Sequence, residues 1–287
     1  MLRKGDLTQG GIITTLLQFT LPMLAGSLLQ QCYNIADTLI VGQCIGANAL
    51  AAVGSAYTLM VFLISILLGL SMGSGTVFSL QYGAGDLSAL RRSIYVSLLL
   101  IGTVTILLNV AVFLWLDPIL RWLQVPYDIY SLMRNYLWII FWGIVFTFLY
   151  NFYAALLRAV GDSVTPLWFL AVSVVLNIGL DLFLILVLDQ GIEGAAVATV
   201  IAQGTAASGI LLYTYKTRPE LRLHREDMCF DRSSLREITS FSTLTCVQQS
   251  VMNFGILMVQ GLVNSFGTVV MAAFAAAVKI DSFAYMP

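Results

Sequence analysis

Residues Val164 to Leu188 read VTPLWFLAVSVVLNIGLDLFLILVL, an apolar stretch long enough to cross a bilayer as a helix. Asp181 lies near the middle of this stretch, one helical turn after Asn177. A carboxylate at that depth costs roughly 2.5–3.5 kcal/mol even on lenient insertion scales, unless it is paired, hydrated or bound to an ion. The stretch therefore predicts a membrane bundle that contains an ion or proton site.

The whole chain has the composition of a membrane protein. Hydrophobic residues make up 59% of its 287 residues and charged residues 10%, whereas about 25% are charged in an ordinary soluble domain. We predict an all-α bundle, because the long apolar runs do not alternate as barrel strands do. The helical spans are expected near 12–42, 48–80, 89–116, 129–157, 164–188, 194–215, 237–263 and 267–287.

The positions of the Lys and Arg residues predict the orientation, because cytoplasmic loops are enriched in them. With the N-terminus in the cytoplasm, the outer loops hold only Arg121 and Arg134, and Lys279 falls within the last span. The cytoplasmic segments hold Arg3, Lys4, Arg91, Arg92, Arg158, Lys216, Arg218, Arg222, Arg225, Arg232 and Arg236. We therefore expect a multi-pass protein of the cell (plasma) membrane. The net charge of −1 gives no case for nucleic-acid binding.

The chain divides at one polar segment and carries a weak internal repeat. We place a six-helix N-terminal lobe at 1–215, a cytoplasmic inter-lobe loop at 216–236 and the start of a second lobe at 237–287. Gln30-Gln31 matches Gln248-Gln249 and Ala51-Ala52 matches Ala272-Ala273, at an offset of 218 to 221 residues. An even number of spans keeps both copies in the same orientation. The repeat predicts a full protein about twice as long as this offset. We therefore expect this chain to be a fragment or a truncated reading frame.

Four polar residues in the apolar spans are candidates for an ion site. Asn177 and Asp181 share one helix face at i, i+4 spacing, and Thr199 in the next span follows small alanines. Asp37 lies in a polar patch of the first span. Carboxylate, amide and hydroxyl oxygens suit a small hard cation such as Na+, or a carboxyl of tunable proton affinity. The alternatives are structural hydrogen-bonded carboxyls at both acids, and a Thr199 hydroxyl bonded back to its own helix.

Two other chemistries are disfavoured. Gly83-Ala84-Gly85-Asp86 is similar to a motif of intramembrane aspartyl proteases, but Asp86 lies at the cytoplasmic end of its span, too shallow for a dyad that shares a buried proton. We therefore do not expect an enzyme. The cysteines have no metal-ligand spacing, so no transition-metal site is expected, and we interpret them as unpaired and structural. They are Cys32, Cys44, Cys229 and Cys246.

Five motifs together resemble the multidrug and toxic compound extrusion (MATE) family over the whole chain. They are Asp37-x-x-x-Val41-Gly42, Leu157-Arg158-Ala159-Val160-Gly161-Asp162-Ser163, Leu176-Asn177-x-x-Leu180-Asp181, Gly191-x-Glu193-Gly194-Ala195-Ala196-x-Ala198-Thr199 and Lys279-Ile280-Asp281. The resemblance implies twelve helices in two lobes around a cavity that opens alternately to each side, of which this chain has about eight. It also implies exchange of inward Na+ or H+ for outward bulky, often cationic compounds.

The family's ion site carries over onto Asp37, Asn177, Asp181 and Thr199, with no cofactor other than the coupling ion. Weaker candidates for the cavity wall are Asn34, Tyr136 and Asn151. We expect drug-like cations as substrates, the bilayer as the other partner, and a monomer at full length. The alternatives are a lipid-linked oligosaccharide flippase of the same superfamily and a truncated product without transport. The residues leave open the choice between Na+ and H+, the substrate, and the roles of Lys279 and Asp281.

Overall fold

The computed structural model describes residues 12–224, 227 and 231–284. This part of the chain is helical and contains no strand. A π-helical segment, Phe183–Val187, continues the sixth helix, and a short 3-10 turn, Pro219–Leu221, follows the seventh. The α-helices are α1 Ile12–Cys44, α2 Ala47–Gly83, α3 Leu87–Trp122, α4 Tyr127–Trp142, α5 Ile144–Ala159, α6 Val164–Leu182, α7 Gly191–Thr217, α8 Arg232–Asn264 and α9 Thr268–Ala284.

The predicted all-α membrane fold is confirmed, and each expected span corresponds to a helix with one exception. The fourth span is broken at Gly143 into α4 and α5, which are inclined at 47°. In the described residues, five helices are long and apolar enough to cross a membrane, and the bent pair makes six. The spanning role of α1 and α9 stays a prediction, because neither belongs to this set and α9 offers only the apolar stretch Thr268–Val278.

Helix α2 is the central element, and it packs against α8 more extensively than any other pair of helices packs together. Two glycines make this approach possible. A Cβ on Gly69 would lie 2.5 Å from the Cα of Cys246, and a Cβ on Gly73 would overlap the backbone of Ser242. Backbones approach this closely only where side chains are small. Gly46 has a different role, since it has φ +117° and forms the turn between α1 and α2.

The end of the α2–α8 contact that includes the start of α2 and the end of α8 is polar. Asn264 Nδ2 donates to Ser55 Oγ at 3.1 Å and to the backbone carbonyl of Leu123 at 2.7 Å. Gln260 Nε2 donates to Asn264 Oδ1 at 2.8 Å, and Thr58 Oγ1 donates to Gln260 Oε1 at 3.1 Å. All four side chains are buried. We call Ser55, Thr58, Gln260 and Asn264 the α2–α8 polar network. It ties α2 and α8 to the turn after α3.

The first and eighth helices match as the repeat predicts. Their last residues, Cys44 and Asn264, are 264 − 44 = 220 positions apart. Each is followed by a turn glycine of positive φ, Gly46 at +117° and Gly267 at +90°. The local structure of the two copies is therefore the same, while the division of the chain into lobes stays a prediction.

At the opposite end of the bundle, ion pairs join the loops that carry most of the Lys and Arg residues. Arg218, after α7, lies 3.2 Å from Asp162 in the turn before α6. Arg91, at the start of α3, lies 2.9 Å from Asp227 of the segment before α8. Leu221, in the 3-10 turn after α7, is buried in the main hydrophobic core. The segment before α8 is therefore attached to the same end of the bundle as the α2–α3 and α5–α6 turns.

Gly69→Ala is expected to destabilise the protein by about 1–3 kcal/mol, because overpacking a tight helix contact forces the two helices apart. Gly179→Ala, on an exposed part of α6 with no atom within 4 Å of an added Cβ, is the matched control. It is expected to be neutral or to stabilise by up to about 1 kcal/mol. Thermal unfolding in detergent measures both. A similar shift in the two variants would contradict the close α2–α8 contact.

Candidate functional site

Helix α6 turns its polar side chains inward and its apolar side chains outward. Asn177 and Asp181 are 1% and 0% exposed, whereas Trp168 and Val175 are 67% and 73% exposed. This arrangement suits a helix surrounded by lipid, because hydrocarbon solvates the apolar face and the polar groups must find partners inside the bundle. The depth of Asp181 in the protein is therefore a consequence of helix packing as well as of its place in an apolar stretch.

Asp181 lies in the last turn of α6, nearer the C-terminal end of the span than the middle position expected from the sequence. The helix changes winding directly after it, since Phe183–Val187 is π-helical. This segment packs against the start of α7, where a Cβ on Gly194 would lie 3.1 Å from the Cβ of Leu184. π-helical turns occur frequently at functional sites. Here the turn and Gly194 together bring the end of α6 close to α7.

Asn177 connects Asp181 to Thr199 of α7. With the amide oriented so that both of its ends are satisfied, Nδ2 donates to Asp181 Oδ2 at 2.8 Å and Oδ1 accepts from the Thr199 backbone N–H at 3.2 Å. In the opposite orientation, Nδ2 lies 3.3 Å from Thr199 Oγ1. The amide bridges the two residues only in the first orientation, because in the second its oxygen faces the Asp181 carboxylate without a hydrogen bond. Asn177, Asp181 and Thr199 therefore form one contact group on α6 and α7.

Helices α1 and α4 complete the group. The hydroxyl of Tyr33 lies 3.4 Å from Thr199 Oγ1. Asp37, one turn after Tyr33 on α1, is half-buried and close enough to Asp181 for the two carboxyls to interact electrostatically. Tyr136 of α4 is buried and lies within electrostatic reach of both acids. We call this group the acid cluster, and its members are Tyr33, Asp37, Tyr136, Asn177, Asp181 and Thr199.

The structure thus brings together the four predicted ion-site residues and one of the three predicted cavity residues, Tyr136. The other two make hydrogen bonds within their own helices. Asn34 donates to Gln31 Oε1 at 3.4 Å, and Asn151 donates to the carbonyl of Thr147 at 2.8 Å. Their cavity role stays a prediction.

Tyr33 was missed as a site residue, although the sequence contains a signal for it. It precedes Asp37 by four residues and therefore shares its helix face. The Thr199 hydroxyl contacts α1 and α6, unlike that of Thr205, which donates to the carbonyl of Ile201 in its own helix.

Asp86 has a structural role at the N-terminus of α3. The backbone N–H of Ala89 donates to its carboxylate at 2.9 Å, and this bond holds the pKa of Asp86 below its usual value. A group of this kind stays ionised and caps the helix, whereas an acid dyad requires a carboxyl that keeps its proton.

Some of the predicted residues can be described only in part. Cys32, Cys44 and Cys246 are free thiols. Cys229 and the side chains of Lys279 and Asp281 lie outside the described residues.

One oxygen of Asp181 has no hydrogen-bond partner among the described residues. Oδ2 is bonded by Asn177, but Oδ1 is buried and makes no hydrogen bond. A buried acceptor left unmatched costs about 1–3 kcal/mol, and more when it is charged. A proton on Oδ1, or a hard cation shared with the amide and hydroxyl oxygens nearby, would remove this cost. The chemistry of the cluster therefore suits a proton or a small cation.

Comparison with known proteins identifies relatives over nearly the whole chain. The family model described as MatE matches residues 22–183. The chain is 34% identical over 282 residues to the probable multidrug resistance protein YpnP of Bacillus subtilis, covering 98% of this chain and 63% of that protein. It is 27% identical over 280 residues to the multidrug export protein MepA of Staphylococcus aureus, covering 95% and 60%. The chain thus spans about three fifths of the length of these relatives.

The fold has matches among solved structures. A mutant of the Vibrio cholerae MATE transporter VcmN superposes with a TM-score of 0.83 at 25% identity, covering 95% of this chain and 62% of that one. The family match includes Asp37, Asn177 and Asp181 of the acid cluster, and the helical bundle agrees with that of the solved relative. The chain therefore belongs to the MatE family of membrane transporters.

Proposed function

We propose that the protein is an ion-coupled antiporter that exports bulky, drug-like cations by alternating access, with Na+ or H+ as the coupling ion. The observation that carries this proposal is the buried Asp181 carboxylate, which has one oxygen bonded by Asn177 and one oxygen with no hydrogen-bond partner in the part of the chain that the structure describes. The names of the curated relatives, a probable multidrug resistance protein and a multidrug export protein, support the export of drugs.

The coupling ion enters from outside and binds at the acid cluster. A proton neutralises a carboxyl, and Na+ takes its oxygens from the Asp181 carboxylate, the Asn177 amide and the hydroxyl groups of Thr199 and Tyr33. Either ion removes negative charge from a site that water solvates poorly. Because the cluster joins α1, α4, α6 and α7, a change in its charge alters how these four helices pack together.

The substrate competes with the ion for the same charge. A cationic compound in the cavity is attracted by Asp37 and Asp181, and this attraction is lost when the ion has bound. Binding of the ion therefore lowers the affinity for the substrate, and by linkage the substrate lowers the affinity for the ion to the same extent. Export follows if the ion-bound state releases the substrate on the outer side.

The orientation proposed for the protein places its N-terminus in the cytoplasm, in the cell membrane. Support comes from the ion-paired end of the bundle, where Arg91 and Arg218 occur together with most of the basic residues. Asp37 and Asp181 both lie toward the helix ends that are farther from these ion pairs. The acid cluster would therefore be nearer the outer surface. An ion arriving from outside would then cross only part of the bilayer.

Asp37→Asn and Asp181→Asn are each expected to abolish ion-driven transport, because an amide cannot be neutralised by a proton and binds a cation far more weakly. The measurement is counter-transport by the intact protein in vesicles, with the Na+ and pH gradients varied separately. Dependence on one gradient alone identifies the coupling ion.

Asp128→Asn is the matched control for the acids, because Asp128 is an exposed residue in the first turn of α4. It should transport at the wild-type rate. Transport that keeps its ion dependence in both the Asp37 and the Asp181 variants would refute the proposed coupling.

Thr199→Val is expected to weaken ion binding about fivefold, because it removes one oxygen worth about 1 kcal/mol while preserving the shape of the side chain. The ion concentration at half-maximal transport measures the change. Thr205→Val is the control, since the Thr205 hydroxyl is exposed and bonds within its own helix at 2.9 Å. Equal effects of the two substitutions would argue against a role for Thr199 in binding the ion.

A further inference from the structure

The break in the fourth span has a specific partner in another helix. The carbonyl oxygen of Phe141, which in an unbroken helix would accept from the N–H of Val145, accepts from Nδ2 of Asn109 in α3 at 2.9 Å. The Gly143 N–H bonds to the carbonyl of Ile140, three residues earlier, at 2.8 Å. Sharp helix kinks require a cause such as proline or a side chain inserted into the hydrogen-bond ladder. The span contains no proline between Tyr127 and Ala159, so Asn109 supplies the inserted group.

The break also accommodates α7. A Cβ on Gly143 would lie 2.9 Å from Cγ2 of Val200 and 3.1 Å from the carbonyl oxygen of Ile140. Helices α4 and α5 both pack against α7, and Thr147 of α5 hydrogen-bonds to Gln203 of α7. Because α5 is bonded to α7 on the C-terminal side of the break, the angle at Gly143 sets the direction of α4 together with the packing of α4 on α2, α3 and α7 and the bond from Asn135 to Glu193.

Tyr136 lies on α4, seven residues before Gly143, which is roughly 10 Å along the helix axis. A rotation of about 10° at the break would move Tyr136 by roughly 2 Å, by the same geometry. Functional groups tolerate displacements of only about 0.5 Å. The position of the Tyr136 hydroxyl relative to Asp37 and Asp181 therefore depends strongly on the angle at the break.

We infer that Asn109 is a positioning residue for the acid cluster: its bond to the Phe141 carbonyl holds the break in the fourth span and so places Tyr136 beside the two acids. This inference rests on the proposed ion-coupled function. Asn109 itself is on α3, which contributes no residue to the acid cluster, and it acts through the backbone of α4.

The test compares Asn109→Leu, which has a similar volume but no donor, with Asn109→Gln, which keeps an amide. Spin labels on cysteines at Tyr127 and Ala159, with the native cysteines replaced, measure the end-to-end distance of α4 plus α5 in the intact protein. Straightening from the 47° bend lengthens this distance by up to about 4 Å. We expect an increase of about 2–4 Å in the Leu variant and less than about 1 Å in the Gln variant.

The second readout is the ion response. Asn109→Leu should shift the half-maximal ion concentration about fivefold or more, and Tyr136→Phe should shift it as well. In the Tyr136→Phe background the Leu substitution should add less than about twofold, because both changes act through the same hydroxyl. Asn253→Leu is the control, since the Asn253 amide bonds to the carbonyl of Gln249 in its own helix. It should change neither the label distance nor the response.

An unchanged label distance in Asn109→Leu would overturn the inference, and so would a shift that adds fully to that of Tyr136→Phe. If Asn109→Leu does not fold, Asn109→Ala removes the same donor and is measured in the same way. A wild-type protein with no ion response would refute the proposed function, and the label distance would then decide separately whether Asn109 holds the break.

Discussion

Asp181 is a titratable group with no exposed surface, and several neighbouring features of the bundle accommodate it. Helix α6 turns its apolar side chains toward the lipid, so its inner face is free for Ser173, Asn177 and Asp181. Helix α7 approaches this face because glycine and alanine line its inner side. One carboxylate oxygen is bonded, and the other has no hydrogen-bond partner within the described ranges. The helices thus bury the carboxyl without a hydrogen bond for both of its oxygens. A group that binds there can remove the free-energy cost of the unmatched oxygen.

Helices with different roles meet around α2. The second half of α2 contacts α8 through Gly69 and Gly73, where backbone approaches backbone. Along its other sides it packs against α3, α4, α5 and α9. A change at the acid cluster can therefore reach α8 through few intermediates, because α4 contacts both α2 and α7. This arrangement gives coupling between the two parts of the chain a short physical route.

The sequence predicted much of this structure, because hydropathy and buried acids are strong signals in a lipid environment. The helix bounds and the candidacy of Asp37, Asn177 and Asp181 followed from those signals, whereas the grouping of Thr199 with them rested on the resemblance of the motifs to the family. The break at Gly143 did not, because it depends on a side chain of α3 that lies far away in sequence. The π-helical segment after Asp181 and the place of Tyr33 also depend on packing between helices. The spacing of residues along one helix shows which of them share a face. It does not show which residues of other helices they contact.

The α2–α8 polar network has a consequence for how the bundle exchanges water. At the end of the α2–α8 seam that contains this network, buried amides and hydroxyls are joined by hydrogen bonds. At the Gly69–Gly73 end, the seam is closed by backbone contact, and two buried serine hydroxyls meet there, with Ser242 Oγ 3.4 Å from Ser74 Oγ and donating to the Leu70 carbonyl at 3.1 Å. Separation at the network end must therefore hydrate two amides and two hydroxyls, whereas separation at the glycine end must hydrate the two serine hydroxyls. The two openings would differ in their dependence on water activity, and osmolytes that withdraw water should disfavour opening at the network end first.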